Sequence, residues 1–269
     1  MVEVYMIFWK GFRKLWSIIG KMHTVLEACF TGLWLGILNR ENFYSIDKLY
    51  YDSTKMYHDE NYNRGGFWAW EISVLNKYFK NCKRLLVAGS GGGREVLALL
   101  KQGYEVDGFE CNPNLVYRAN EILEKEGFAP NIQLAPRDQC PNGLNTSYDG
   151  VIIGWAAYML IQGRKQRVAF LNQLRKLMKE GAPILLSFFY RSDTDSDLRF
   201  KITKIVGDSI RKSLRKELLE IGDYLGPNYV HYFTKEQIKS EFNEGGLKLV
   251  FFSTKEYGHA IGIVSKQTG

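Results

Sequence analysis

The sequence predicts an α/β fold in which helices flank a mostly parallel sheet. Short apolar runs alternate with stretches of helical spacing from residue 83 to residue 190. A glycine cluster at residues 89–93 separates the first apolar run from the first helical stretch. Residues 148–155 are nearly continuously apolar, as expected of a central parallel strand buried on both faces. The 269 residues suffice for one full core with appended segments.

The N-terminal segment, residues 1–38, is rich in Trp, Phe, Leu and Ile but is interrupted by charged residues. Its longest uncharged run, 28–39, has 12 residues, and a membrane-spanning helix needs about 20. No small-residue cleavage site is evident, so no secretory signal is expected. Two interpretations stay open: helices packed on the domain, or an interfacial amphipathic anchor whose apolar contacts are Trp9, Trp16 and Trp34.

A strand, a glycine turn, a helix and a second strand follow one another between residues 83 and 110. The strands are predicted at 85–88 and 104–109, and the helix at 95–101. Glu110 ends the second strand. This βαβ unit indicates a nucleotide site, because glycines let the backbone approach a ligand and an acid can accept both ribose hydroxyls.

The spacing of the glycines decides between nucleotides. A dinucleotide fingerprint needs a sixth-position glycine, where Arg94 stands, and a P-loop needs Lys–Ser/Thr where Arg94 and Glu95 stand. Glycine instead occupies the first, third and fifth positions. With Glu110, this pattern resembles motif I and the following acid of class I S-adenosylmethionine (SAM)-dependent methyltransferases. That family often has an acid two residues before the first glycine, and this chain has Val87.

The resemblance implies a Rossmann-like sheet of seven mostly parallel strands that binds SAM. Its cofactor contacts would come from the glycine turn, the end of strand two, the loops after strands three and four, and the segment that precedes strand one and folds over the cofactor. Carried over to this sequence, these positions are Gly89, Ser90, Gly91, Gly93, Glu110, Cys111, Asn112, Asp138, Gln139, Trp155, Tyr57, Tyr62 and Arg64. Asp138 would face the adenine amino group.

The remaining elements complete the sheet. Helices are predicted at 69–80, 114–126, 164–179 and 234–243, and strands at 131–135, 148–155, 183–190, 247–254 and 260–264. A helical insertion interrupts the pattern after strand five. The predicted division is 1–64 (N-terminal helical and aromatic segment covering the cofactor), 65–190 (SAM-binding core), 191–229 (helical cap insertion) and 230–269 (C-terminal part of the sheet).

The net charge of +7 is local rather than general. Between Arg199 and Lys216 seven bases stand against one acid, Asp208, which argues against a nucleic-acid-coating protein. This segment could be a solvated helix, a cap over the site, or a basic surface that meets an anionic membrane. The four cysteines are scattered and lack metal-ligand spacing, so no metal site is expected. We expect reduced thiols and therefore a cytoplasmic protein. Peripheral contact with a membrane is a further expectation.

The predicted function is in-line transfer of the SAM methyl group to a small-molecule acceptor, with oxygen, nitrogen, sulfur and carbon acceptors all open. After strand four the chain reads Gly-Trp-Ala-Ala-Tyr rather than Asn/Asp-Pro-Pro-Tyr/Phe, which weighs against nucleobase and amide nitrogen. His231, between the insertion and the next helix, is the candidate base, and Tyr158 is the second catalytic candidate. The alternatives are a SAM-binding regulatory or membrane-associated protein without turnover, and a nicotinamide-dependent oxidoreductase.

Overall fold

The structure, a computed structural model, describes residues 1–144, 147–192 and 198–265. The described residues form two compact units, a smaller one of residues 1–42 and 198–226 and a larger one of residues 43–192 and 227–265. The helices are α1 (Val2–Ile37), α2 (Arg40–Ser53), α3 (Lys55–His58), α4 (Glu60–Arg64), α5 (Ala69–Tyr78), α6 (Arg94–Lys101), α7 (Pro113–Lys125), α8 (Arg164–Lys176), α9 (Leu198–Ser213) and α10 (Lys235–Glu244). The strands are β1 (Arg84–Ala88), β2 (Glu105–Glu110), β3 (Ile132–Leu134), β4 (Gly150–Ile153), β5 (Pro183–Tyr190), β6 (Asp223–Leu225), β7 (Tyr229–Phe233), β8 (Leu247–Ser253) and β9 (Gly258–Val264).

The larger unit contains a mostly parallel sheet, as predicted. Its parallel strands lie in the order β3-β2-β1-β4-β5, with Leu86 opposite both Asp107 and Val151. The last two strands, both predicted, form a hairpin: β9 runs antiparallel to β5, and β8 runs antiparallel to β9. Helices flank this sheet, so the α/β, Rossmann-like fold class is confirmed.

The predicted count of seven strands is wrong, because the described part of the chain has nine. The two additional strands are β6, which lies in the predicted insertion, and β7, which begins at its last residue and continues into the predicted C-terminal part of the sheet. β5 pairs with β9 only as far as Phe188, and its last two residues, Phe189 and Tyr190, pair in parallel with β7. The aromatic and β-branched composition of β7 suits a strand. Its partner is about 40 residues away in sequence, which a local pattern does not reveal.

The core of the larger unit lies around β1. Leu85, Leu86, Val87 and Ala88 are fully buried, and Phe79, directly after α5, packs in one hydrophobic cluster with Leu85 and Val87. The sequence also determines where α7, the helix after β2, begins. Asn112 caps α7 by accepting the backbone N–H groups of Asn114 and Leu115 at 2.9 and 3.3 Å, and proline occupies the first helical position.

The smaller unit consists chiefly of α1 and α9. α1 is one helix of 36 residues rather than several N-terminal helices. Its C-terminal half packs along α9, and small residues allow the close approach: a Cβ on Gly32 would lie 2.6 Å from the Thr203 carbonyl oxygen. The buried Arg211 side chain donates to the Leu35 carbonyl at 2.9 Å, next to this packed surface. None of the described helices, α1 included, has the length and apolar character to cross a membrane.

The predicted division of the chain into four segments stays a prediction. In the structure residues 198–226 form a unit with residues 1–42, while α3, α4 and α5 lie in the unit that contains the sheet. The predicted helix within the insertion is present as α9. Its role as a cap over the site remains a proposal.

Candidate active site

The glycine turn joins β1 to α6 and fixes the position of the site. Gly89 and Gly91 have φ values of +70° and +53°, in the left-handed region that glycine adopts without strain. The N–H groups of Gly89 and Ser90 donate to the Phe109 carbonyl at 2.8 and 3.0 Å. These bonds hold the turn against the end of β2, so the backbone of the turn lies beside Glu110.

Glu110 is almost completely buried at the carboxyl end of β2. One carboxylate oxygen accepts the N–H of Gly91 at 2.9 Å, and the other accepts the N–H groups of Cys111 and Asn112 at 2.7 and 2.9 Å. A carboxylate has about four acceptor positions, so these bonds orient Glu110 and still leave acceptor capacity. The backbone donors thus fix an acid at the end of strand two, as the sequence predicted.

The ends of β1 and β4 approach each other through backbone alone. A Cβ on Gly154 would lie 2.1 Å from the Gly89 carbonyl oxygen, and a Cβ on Gly89 would lie 2.7 Å from the Ala157 Cβ. No side chain larger than hydrogen fits at either glycine without movement of backbone or Ala157. At these two glycines, this side of the site is therefore main chain.

A cavity of roughly 380 Å³ lies at the carboxyl ends of β1, β2 and β4. In open α/β sheets this edge is where ligands bind. Aromatic and aliphatic side chains make up most of the lining, which is typical of small-molecule sites. Seven of the residues predicted to bind the cofactor line it, namely Gly89, Gly91, Glu110, Cys111, Asn112, Trp155 and Tyr57.

The other predicted cofactor residues are close in sequence to residues that line the cavity, but they do not line it themselves. Ser90 is buried and its hydroxyl donates to the Phe109 carbonyl at 3.3 Å, while Gly93 precedes the first residue of α6. Arg64 forms ion pairs with Glu60 and Glu126, which neutralise its charge away from the cavity lining. Three more lie in α4 or in the turn after β3: Tyr62, Asp138 and Gln139.

The two catalytic candidates are fully buried outside the cavity lining. The Tyr158 hydroxyl donates to Glu241 at 2.6 Å, and Glu241 is also paired with the buried Arg167. His231 lies 3.3 Å from the side-chain nitrogen of Gln237. The Gln237 oxygen accepts N–H groups from Arg191 and Thr234, so the Gln237 nitrogen donates and His231 Nε2 accepts. Both roles in catalysis stay predictions.

One wall of the cavity, from α2, was missed by the sequence analysis. Tyr44, Lys48 and Tyr51 follow each other at intervals of four and three residues and line the cavity together with Ser45. This spacing is that of one helical face and could have been recognised in the sequence. The next helix segment packs directly on the glycine turn, because a Cβ on Gly92 would lie 2.6 Å from the Tyr57 carbonyl oxygen.

Arg137 is the second missed residue, and it connects the loop after β3 to α2. Its side chain is 9% exposed, lines the cavity, and lies 2.9 Å from a carboxylate oxygen of the fully buried Asp47. Burial raises the pKa of Asp47 to about 6, although the nearby guanidinium opposes this shift. Arg137 Nε has no hydrogen-bond partner among the described residues. Arg137 thus holds α2 by charge while keeping donor capacity.

Arg94, whose place at the sixth position of the turn excludes the dinucleotide fingerprint, belongs to a buried ionic network. Its guanidinium donates to both oxygens of Glu71 at 2.8 Å and to Glu95 at 2.7 Å, and it lies 3.9 Å from the centre of the Trp68 ring. Glu95 also accepts the backbone N–H of Trp155 at 3.1 Å. The network therefore joins α5 and α6 to the cavity wall that follows β4.

Three groups in the cavity wall stay protonated at neutral pH. Burial raises the pKa values of the Tyr51 and Tyr57 hydroxyls and of the Cys111 thiol. The phenols are therefore neutral hydrogen-bonding groups, and Cys111 is not a thiolate nucleophile.

Strand order, glycine turn and strand-two acid together define a class I SAM-dependent methyltransferase. This class uses SAM as its cofactor, and the residues present fit it: a buried acid with free acceptor capacity, a backbone cradle and a cavity of ligand size. Residues 49–208 match the family model described as tellurite resistance protein TehB, and the chain belongs to this family. A comparison of the sequence with curated proteins gives no match.

Solved structures share the fold at low sequence identity. A SAM-dependent methyltransferase from Methanosarcina mazei has a TM-score of 0.59 at 16% identity, covering 74% of this chain and 99% of that one. SAM-bound CalS10 of Micromonospora echinaspora, an amino pentose methyltransferase, has a TM-score of 0.54 at 13% identity over 76% and 94% of the two chains. DesVI of Streptomyces venezuelae has a TM-score of 0.53 at 10% identity over 85% and 99%.

Proposed function

We propose that the protein transfers the methyl group of SAM to a small-molecule acceptor bound in the cavity at the strand ends. The observation that carries this proposal is the buried Glu110, oriented by three backbone N–H groups beside the glycine turn and facing one cavity. SAM supplies an electrophilic methyl group on a sulfonium centre. The chain has to bind, align and enclose the reactants.

Binding of the cofactor is assigned to the strand-one and strand-two ends. Glu110 would accept a ribose hydroxyl at its remaining acceptor position, and the main chain at Gly89 and Gly91 would lie against the cofactor without side chains between. Asn112 and Cys111 would extend this contact, since both line the cavity directly after Glu110. Tyr57 and Trp155 would enclose the ligand from the sides.

Alignment can account for much of the rate. Holding a nucleophile in line with the methyl group removes up to roughly 7–11 kcal/mol of the barrier, so an acceptor that is already nucleophilic needs no base. The protonated phenols of Tyr51 and Tyr57 would orient an acceptor by hydrogen bonds and exclude water. His231 remains the candidate base; in that role His231→Ala would lower turnover by about 10²–10⁴-fold and leave SAM affinity unchanged.

Two acceptor classes are the first to test. The name of the family refers to tellurite, and CalS10 is described as acting on an amino pentose. Lys48 and Arg137 line the cavity, each paired with one acid, Asp52 and Asp47, and their further N–H donors support an acceptor with a lone-pair-bearing group. An acceptor of this kind also fits the absence, in this sequence, of the motif typical of nucleobase methylation.

The alternative functions have less support. In a nicotinamide enzyme the sixth position of the turn would be glycine, whereas here Arg94 stands there within a buried ionic network. No observation favours a SAM-binding protein without turnover. Contact with an anionic membrane, predicted from residues 199–216, is a separate proposal about where the enzyme works.

The decisive experiment follows the labelled methyl group of SAM into a panel that includes tellurite and amino sugars. We expect a methylated product from one acceptor, and calorimetric binding of SAM and S-adenosylhomocysteine but not NADH. Glu110→Ala should weaken cofactor binding by roughly tenfold or more, because charge-assisted hydrogen bonds are lost. Glu105→Ala, an exposed acid on the same strand, is the matched control. Tight NADH binding without a response to SAM would refute the proposal.

A further inference from the structure

One side of α1 carries two groups of exposed aromatic side chains, one near its N-terminus and one near its C-terminus. We call Tyr5, Phe8, Phe12, Trp16, Phe30 and Trp34 the aromatic face; their side chains range from 39% to 74% exposed. Tyr5, Trp9, Phe12 and Trp16 stack in sequence with ring-centre distances of 6.3, 5.9 and 6.1 Å. Between the two groups, the exposed residues Ile19, His23 and Leu26 lie on the same side of the helix. An apolar surface of this extent is unusual on a soluble monomer and marks an interaction site.

The packing of the smaller unit leaves this face uncovered. The buried residues of α1 include Ala28, Gly32 and Gly36, which lie on the side that contacts α9. Phe30 precedes Gly32, and Trp34 precedes Gly36, by two residues, which is about 200° of rotation around a helix. The aromatic face therefore points away from α9. Every residue from 1 to 23 is exposed, so the N-terminal part of α1 is uncovered on all sides.

Three lysines of α1 lie on the other side of the helix from the aromatic face. Lys10, Lys14 and Lys21 follow each other at intervals of four and seven residues, one or two helical turns, opposite the aromatic face. Residues 1–22 contain four basic residues and one acidic residue, Glu3, a net charge of +3. Basic residues on the polar side, with Trp, Tyr and Phe on the apolar side, are typical of helices that lie in a membrane interface.

We propose that the aromatic face of α1 docks on the surface of an anionic lipid bilayer. The helix would lie parallel to the membrane, with its aromatic rings at the headgroup level and its lysines directed to the lipid phosphates. It would not span the bilayer, since no described helix is apolar enough to do so. This inference does not depend on methyl transfer.

A second copy of the chain fits this surface less well. The apolar positions of α1 occupy about half of the helix circumference, whereas a coiled-coil seam is a narrow stripe, mostly of aliphatic residues. The positive charge along residues 1–22 would also repel an identical helix but complements anionic lipid. Charge and composition therefore both select lipid as the occupant.

Flotation of the full-length protein with vesicles tests the proposal. We expect binding to phosphatidylglycerol–phosphatidylcholine vesicles at low salt, weaker binding as salt rises, and little binding to phosphatidylcholine alone. The triple variant Phe8→Glu/Phe12→Glu/Trp16→Glu should lose about a hundredfold in partitioning. Lys10→Gln/Lys14→Gln/Lys21→Gln should lose about as much on anionic vesicles. Tyr117→Glu, an equally exposed aromatic on α7, should have no effect.

Binding of S-adenosylhomocysteine by each variant shows that its larger unit is folded. Absence of flotation of the parent protein at low salt would overturn the proposal. So would equal partitioning of the aromatic triple variant and the parent. Light scattering without lipid supplies a third outcome: a dimer of the parent that becomes a monomer in the triple variant would assign the face to a second copy and overturn docking on lipid.

Discussion

Arg94 and Arg137 are both almost completely buried, but their charges are neutralised in different ways. Arg94 contacts two carboxylates, Glu71 and Glu95, with hydrogen bonds of 2.7–2.8 Å. Arg137 contacts one carboxylate, that of Asp47, and its Nε has no hydrogen-bond partner in the described ranges. A buried charge that is fully hydrogen-bonded holds structure together, whereas one with unused donors beside a cavity is suited to a ligand.

The largest expected effect is that of Arg94→Met. It would leave two buried carboxylates without a cation and destabilise the protein by about 3–5 kcal/mol. Chemical denaturation measures the free energy of unfolding. Lys101→Met on the same helix is the control, because its ion pair with Glu126 is exposed and should contribute less than about 1 kcal/mol. Equal effects of the two substitutions would show that the Arg94 network is not structural.

The second prediction concerns the pH dependence contributed by Asp47. Its pKa in the folded protein, about 6, lies above its ordinary value of 3.8, so the folded state binds more protons between these pH values. The free energy of unfolding should therefore fall as pH rises from about 4 to 6, by up to about 3 kcal/mol, and then stay constant with respect to this group.

Asp47→Asn keeps an acceptor for the Tyr229 N–H and should remove this fall. The measurement is the free energy of unfolding against pH for the parent and the variant. Identical curves between pH 4 and 6 would mean that Asp47 has its ordinary pKa, and the two arginine sites would then be more alike than the structure indicates.

The third prediction isolates the ligand role of Arg137. Arg137→Met/Asp47→Asn removes both members of the pair, so no buried charge is left unpaired. Relative to Asp47→Asn alone, the double variant should bind S-adenosylhomocysteine roughly tenfold more weakly, because a charged donor beside the cavity is lost. Calorimetry gives the comparison. Unchanged affinity would assign Arg137, like Arg94, to structure only.

The smallest effect is expected at Tyr158, whose hydroxyl donates to Glu241, the partner of a third buried arginine, Arg167. Tyr158→Phe removes that hydroxyl while Arg167 still neutralises Glu241, so stability should fall by about 1 kcal/mol and turnover should not change. Denaturation and product formation are measured on the same preparation. A hundredfold loss of turnover with normal cofactor binding would instead make Tyr158 catalytic.

The sequence predicted those parts of the site that depend on local order. From β1 to Glu110 the glycine spacing, the strand ends and the acid are contained in 27 residues, and the predicted elements agree with the structure. The cap of α7 at Asn112 and Pro113 is likewise a local signal. Turn and helix-start chemistry acts over a few residues, which is why it is visible in one sequence.

The rest depends on contacts between distant residues. Asp47 and Arg137 are 90 residues apart, and no local pattern indicates that they form an ion pair. β7 pairs with the end of β5, which extends beyond the part of β5 that pairs with β9. The lengths of these pairings depend on the folded sheet and are not visible in the sequence of any one strand. The α2 face was within reach of the sequence, since Tyr44, Lys48 and Tyr51 have helical spacing, but nothing local shows that this face covers a cavity.

The approach of Gly89 to Gly154 restricts how this enzyme could be re-engineered or could diversify. Because a Cβ at Gly154 would lie 2.1 Å from the opposite carbonyl oxygen, substitutions there would deform the main chain rather than reshape the cavity. We expect selection for a new acceptor to act instead on lining side chains, such as Tyr44, Ser45 and Lys48 on α2. A mutant library confined to α2 should yield altered acceptor preference far more often than one directed at the glycines.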